Sequence, residues 1–338
     1  MTATLETPTL TPEQKPVAQL DSADITPIKI RKKRAPKHDF KDGAGRVFAH
    51  KHDNGGGWVA DTAKVEDRVY VGPRSEIFQH AKVSDGVRLE GQAKIFGHAR
   101  VRDSVLLRQN SAIFGTAYVC DATTLGGAAR VSGNAHISGT SRLDHRAIVS
   151  DSARVVASTL LNDVRVTGGA MVMRSHLALE VKAYGNCFIS YSTLYGDIEV
   201  FDFCQCLNLR SAVRKRAADE PAAHFGGHAL LADNCHINQN IRVQDHAVLV
   251  RVVLYDPGGD RGERPDIGEN MILSYATFHN PVALRDHLTQ LRAGGRAAMS
   301  GATRPVPPPQ QPGVQRPNYL AEIARGGRRI MAIQEGGA

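Results

Sequence analysis

The amino-acid sequence predicts an all-β fold, a single-stranded parallel β-helix with three sides per coil, and three features predict it. The first is a six-residue period: stepping from Val59 through Val65, Val71 and Ile77 onward to Val155, every position is Val, Ile or Leu. The second is a closer likeness at eighteen residues. Val71, Leu89, Leu107, Leu125 and Leu143 form one column, Ala63, Ala81, Ala99, Ala117, Ala135 and Ala153 another, and Val69, Val87, Val105, Thr123, Ser141 and Thr159 a third. Side chains that match best three hexads apart are those that stack directly, about 4.8 Å between strands, so one coil holds three hexads. The third is composition. With 6% aromatic residues, one Trp and 32 Gly, the chain suits a narrow interior filled by aliphatic and small side chains. Its 338 residues would alone suggest two or three domains, but one elongated repeat with tails accounts for them.

Taken in order, residues 1–37 are rich in Thr and Pro and close with the basic run Lys29 to Lys37, the composition of a disordered tail. Residues 38–56 are read as an N-terminal cap, and Gly55, Gly56, Gly57 and Trp58 lead into the first coil. The β-helix proper spans 57–210. There Gly or Asp commonly stands two residues after an inward aliphatic, as at Asp85, Gly97, Gly115 and Gly133, which gives strand, corner, strand. After Val155 the period becomes seventeen, in Ser158-Thr159-Leu160, Ser175-His176-Leu177 and Ser192-Thr193-Leu194, so one corner has lost a residue. Residues 211–228 break the pattern and are read as an excursion loop, and Leu231, Ile237, Val243 and Leu249 resume it over 229–256. Residues 257–295 form a C-terminal cap, in which Asn280-Pro281 starts a helix with Leu284, Leu288 and Leu291 along one stripe. A Pro/Gly-rich tail, 296–338, follows, with a linker at Pro305–Pro317 and a short helix at Asn318–Arg325.

The formal charge of +8 sits in the ends. Residues 1–56 hold ten Lys/Arg against seven Asp/Glu and 281–338 eight against three, so the middle is neutral and any attraction for nucleic acid or another polyanion is assigned to the tails. No run reaches the roughly 18–20 apolar residues that span a bilayer, and the first thirty residues lack a signal-type apolar segment, so a cytoplasmic protein without a membrane partner is expected. Five cysteines, with no metal-type spacing beyond Cys204-x-Cys206, predict neither a disulfide framework nor a zinc site. Cys187, Cys204, Cys206 and Cys235 fall on inward positions, as small core hydrophobes.

These hexads resemble the hexapeptide-repeat, or isoleucine-patch, superfamily. The likeness covers residues 57–256 and rests on seventeen consecutive in-register hexads. More narrowly, the GGGWV entry at Gly55–Val59, followed by HAKVSD at 80–85 and GHARVRD at 97–103, is similar to the bacterial YdcK-type proteins called acetyltransferases. The resemblance implies a left-handed coil and a homo-oligomer, a trimer by analogy. In the acyltransferase members it also implies a His base in a groove between subunits, with CoA or acetyl-CoA as donor. The three-His zinc arrangement of the carbonic anhydrases on this fold has no counterpart here, because no His pair in the repeat has their short spacing.

Two places carry candidate catalytic residues. His80 and His98 are eighteen apart and stack on one edge beside Phe78, Phe96 and Phe114. Such a ladder serves as plain stacking between coils, as a subunit interface, or as a groove for an acyl donor with His98 or His80 as base. In the excursion loop, His224 and His228 lie close in sequence to Arg214, Lys215 and Arg216, the makings of a general base and a phosphate clamp for a CoA-type donor, or of a solvated insertion. A stripe of Lys64, Lys82, Arg100, Tyr118, His136 and Arg154 runs up one face, and Asp67, Asp85, Asp103 and Asp121 at the next corner are expected to neutralise it, an anionic partner being the alternative. The leading reading is an oligomeric β-helix scaffold that presents rigid faces to a protein partner. The runner-up is a CoA- or acyl-carrier-dependent O- or N-acyltransferase with a His base, and an anion binder using its basic tails comes third.

Overall fold

Short runs of aliphatic residues alternating with polar ones give coil strands of two to four residues, and the chain winds them into three sheets whose coil strands are parallel. This computed structural model describes residues 36–213, 223–238, 241–255, 265–268, 270–278, 281–293 and 298–300. Each coil adds one strand to each face in turn: Trp58–Ala60 to the first, Lys64–Val65 to the second, Tyr70–Val71 to the third, then Glu76–Ile77 back to the first. The faces hold 14, 13 and 12 strands, and the result is a β-solenoid. Registry is set as the eighteen-residue columns predict: Lys82 pairs with Arg100, Arg100 with Tyr118, and Leu89 with Leu107. The inward aliphatics from Val59 to Leu273 make one continuous core, almost all of it fully buried. Each buried Val, Leu or Ile contributes about 1.5–3 kcal/mol of transfer free energy, which is what holds so narrow a column together.

The corners explain the residue types. From Gln79 to Asp151 every sixth residue that is not Gly has a positive φ of 56–65°, and the Gly residues in the series have the same sign. L-residues resist this left-handed conformation, and Gly, Asp and Asn resist it least. Where the period drops to seventeen, the positive-φ residues stand five apart, at Ala157 and Asn162, Arg174 and Leu179, Tyr191 and Gly196. The missing residue is therefore at the corner between the second and third faces. Shortening that corner leaves an inward N–H in search of an acceptor, and a serine ladder supplies one. The Ser158 hydroxyl accepts from Ser175 N at 3.1 Å, the Ser175 hydroxyl from Ser192 N at 3.1 Å, and the Ser192 hydroxyl from Leu209 N at 3.0 Å.

At the start, Lys37–Asp39 and Arg46–Lys51 form a hairpin that pairs antiparallel with Trp58–Ala60 on the first face. At the far end, helix α1, Pro281–Ala293, packs Leu284 and Leu288 into the core, with its proline in the first turn where no N–H is needed. Two sequence-based boundaries shift. Arg210–Val213 belongs to the third face and Ala223–Phe225 to the first, so of the segment read as an excursion only 214–222 lies outside the described residues. The stack also continues beyond 256, through Asp266–Ile267, Ile272–Ser274 and Thr277–Phe278. A step of 24 residues from Val243 to Ile267 hid that coil from a period of seventeen or eighteen. The strand Ala298–Ser300 then extends the second face. Residues 1–35 and 301–338, including the basic run up to Ala35 and the helix read at Asn318–Arg325, lie outside the described residues. All five cysteines are buried and free, and no described helix is long and apolar enough to cross a membrane.

Candidate functional site

Three of the four candidate histidines share one edge. At the corner between the first and second faces, each N–H donates to the positive-φ residue one coil on: His80 to Gly97 at 2.9 Å, His98 to Gly115 at 2.7 Å, His228 to Asp245 at 2.6 Å. The column thus reads His80, His98, Thr116, Asn134, Ser152, Gly169, Asn186, Phe203, His228 and His246. His80 and His98 stack at 5.1 Å, and His228 stacks between Phe203 at 5.0 Å and His246 at 4.9 Å. Seven rungs separate His98 from His228, about 34 Å at a strand spacing of ~4.8 Å, so the histidines make two places and not one site. His224 is on the outer side of the first face instead, 3.5 Å from a Glu199 carboxylate and edge-on to Phe201. Arg214, Lys215 and Arg216, read as a phosphate clamp, lie outside the described residues.

Beside His80 and His98 is a cavity of about 340 Å³, between the N-terminal hairpin and the first coils. Phe40, Val47 and Phe78 give it apolar walls, and Asp42, Gln79 and the two imidazoles stand around it. Gln79 ties hairpin to coil: its amide donates to Asp42 Oδ2 at 3.1 Å and its carbonyl accepts from Gly97 N at 2.9 Å. The Ala44 N–H, with Gln79, holds the Asp42 carboxyl below its ordinary range. Sequence reading missed Phe40. It stacks on Phe78 at 4.8 Å and turns a three-ring ladder into four, Phe40, Phe78, Phe96 and Phe114, of which Phe78 is buried and the last two half-buried. Phe40 precedes the repeat, so no spacing pointed to it. Neither His80 nor His98 makes a side-chain hydrogen bond among the described residues, so neither has the oriented partner that an efficient general base uses.

The second face carries the basic stripe, and here the expected neutralisation is not made. The Asp85, Asp103 and Asp121 carboxylates accept the corner N–H one coil on, from Asp103 at 3.5 Å, Asp121 at 3.3 Å and Gly139 at 2.7 Å. They serve the left-handed corner, whose amide otherwise faces solvent, and the closest cation is Arg102, at 3.5 Å from Asp103. Lys64, Lys82, Arg100 and Arg154 are exposed and make no ion pair among the described residues. Between them, burial and then the Arg154 charge push His136 below its usual pKa, and its Nε2 is buried without a hydrogen-bond partner. Burial pushes the neighbouring Tyr118 upward. Asp103, Cys120 and Asp121 place donor atoms within 4.8 Å of one another, the one metal-sized group among the described residues. Burial, and then Asp121, push the Cys120 thiol up and keep it protonated, and the carboxylates are already held by corner amides.

The other two faces pair some of their charges, although Arg130 and Arg165 on the first and Arg210 on the third are exposed and make no ion pair among the described residues. On the first, Glu76 meets His38 at 3.0 Å and Lys94 at 2.7 Å, and Glu199 meets Lys182 at 2.6 Å. On the third, Glu90 lies 3.5 Å from both Arg88 and Arg108, and Asp144 is 2.9 Å from Arg142. Past Arg154 the outer column of the second face changes character to Met171, Phe188, Gln205, Leu230, Val248 and Ile272, rung upon rung in register. No protein-family model matches this chain, and no curated protein is significantly similar to it.

Proposed function

We propose that this protein is an interaction scaffold whose second face is a rigid ladder of cations for an acidic partner. One observation carries the reading: Lys64, Lys82 and Arg100 stand exposed on three consecutive rungs of one face, in register and without ion pairs among the described residues, with Arg154 further along the same column. A stack fixed by backbone hydrogen bonds holds such charges at a spacing of ~4.8 Å without further ordering on binding, so the entropic cost of immobilising a loop is absent. The test is retention of the full chain on heparin as an acidic probe, against Lys64→Glu, Lys82→Glu and Arg100→Glu combined. The triple variant is expected to elute at clearly lower salt. Equal elution would remove this face from the reading and return the attraction to the tails.

The second reading is acyl transfer from CoA or an acyl-carrier thioester, with His98 or His80 as base. The apolar cavity of about 340 Å³ beside both imidazoles favours it. Acetyl-CoA at a hundred times its dissociation constant raises stability by about 2.7 kcal/mol, so an unchanged melting temperature at millimolar ligand would remove this reading.

A further inference from the structure

The apolar half of the second face is the other unexplained surface. From Met171–Met173 to Ile272–Ser274, six consecutive strands present Met171, Phe188, Gln205, Leu230, Val248 and Ile272 outward, with Met173 and Leu207 beside them. Exposed aromatics flank it at both corners: Phe203 at 52% on one side, Tyr191 at 59% and Tyr275 at 45% on the other. Among the described residues eight large hydrophobics are exposed, and seven of them come after residue 183. Nothing interrupts this face between strands. The two long steps inside the stack, Ser211 to Phe225 and Leu254 to Ile267, both run from a third-face strand to the next first-face strand, at the corner opposite.

We infer that this half-face is where a second copy of the chain packs, antiparallel, about a two-fold axis at right angles to the solenoid. Area and charge both select that occupant. Six rungs cover about 29 Å along the stack, and with the flanking aromatics the buried surface reaches about 800 Å² per copy, one partner's share of a standard interface. The same outer column is basic below Met171 and apolar above it. In a parallel pair, two sheets about 10 Å apart set each copy's Lys64, Lys82, Arg100 and Arg154 against themselves. The antiparallel pair opposes Met171 to Ile272, Phe188 to Val248 and Gln205 to Leu230. It also moves even the two Arg154 side chains seven rungs apart, about 34 Å, well past the screening length of ~8–10 Å. The packing is isologous and closes on itself. The inference does not rest on the scaffold reading, though it leaves both cationic half-faces open at opposite ends.

Sedimentation velocity of the full chain at micromolar concentration is expected to show a dimer. Phe188→Glu with Leu230→Glu should give a monomer with unchanged circular dichroism, and Lys82→Glu should leave the dimer intact. Orientation is read by a bis-maleimide spanning roughly 10 Å, the sheet-to-sheet distance. Met171→Cys with Ile272→Cys in one chain should cross-link copies, and either single variant should not, because like positions lie about 24 Å apart along the stack. The native cysteines are buried and stay silent. A wild-type monomer or trimer, or cross-linking by either single variant, would overturn the proposal.

Discussion

Replacing Ser175 by Ala tests the physical account of the shortened corner. The Ser175 hydroxyl donates to Met173 O at 2.7 Å and accepts from Ser192 N at 3.1 Å. Met173 O keeps a second donor in the variant, Tyr191 N at 3.1 Å. Ser192 N–H has no other acceptor among the described residues, and Ser192 is 1% exposed, so water cannot replace the bond without opening the stack. An unsatisfied buried donor costs about 1–3 kcal/mol, so Ser175→Ala should lose about 2 kcal/mol. In a domain of this size that lowers the melting temperature by roughly 4–8 °C. Thr123→Val is the control. In the six-residue corner the Thr123 hydroxyl only donates, to Cys120 O at 2.8 Å and Gly139 O at 3.2 Å, and its removal strands no amide. Its cost should stay near 1 kcal/mol or below. The assay is denaturant unfolding followed by circular dichroism for both variants. If Ser175→Ala stays within about 0.5 kcal/mol of wild type, or costs no more than Thr123→Val, the serine ladder is not what permits the seventeen-residue coil.

Three further outcomes follow from the same geometry. Burial, then Arg154, lowers the folded pKa of His136 below the ordinary 6.5, so below that pH the unfolded chain takes up a proton that the folded one refuses. This contribution to stability is complete above pH 6.5 and is lost as pH falls toward the folded value; His136→Asn should flatten the pH dependence of the unfolding free energy in that window. Burial pushes the Cys187 thiol up to about 12 and Cys235 up to about 11, so native protein at pH ~8 should not react rapidly with an aromatic disulfide reagent, and fast labelling of either would contradict their placement. Phe40→Ala should release the hairpin locally, at a cost of up to about 3–5 kcal/mol, seen as faster hydrogen exchange of the 46–51 amides while the exchange of the 83–155 core is unchanged.

What the sequence made legible is what repeats. The eighteen-residue columns gave the three faces, the step from Val155 to Ser158 placed the shortened coil, and Pro281 with Leu284 and Leu288 gave the capping helix. Each rests on a spacing that the backbone imposes on every coil. The features it hid are contacts made once. Phe40, in the non-repeating cap, reaches Phe78 across 38 residues, and the coil at Asp266–Ile267 follows a gap of irregular length. The Asp column was legible as corner residues, yet its bonding was misread. Charge complementarity suggested Lys82 and Arg100 as partners, whereas the left-handed corner presents an N–H nearer to the carboxylate than either cation. For the histidines, the eighteen-residue step correctly brought His80 to His98. His228 takes its place from the rung below and the rung above, Phe203 and His246, while Arg214 lies outside the described residues.

The position of the gaps ties these surfaces together. A solenoid can admit extra residues at any of its three corners, since a corner is where the ladder of side chains is already interrupted. Here the two long steps inside the stack, from Ser211 to Phe225 and from Leu254 to Ile267, both pass the corner between the third and first faces. A loop at either of the other corners would border the second face and hold a flat partner away from Met171 to Ile272 or from the cationic column. The shortened corner acts in the same direction. It removes a residue beside the second face in the coils at 157–162, 174–179 and 191–196, where the outer column turns from basic to apolar, and it places an inward serine hydroxyl there. The coils that lose the residue at that corner are therefore the coils that begin the apolar half, and the Ser175 ladder and the proposed dimer face depend on the same local economy of backbone. A Ser175→Ala chain that still folds is accordingly expected to weaken self-association along with stability, although no ladder hydroxyl lies on the outer surface.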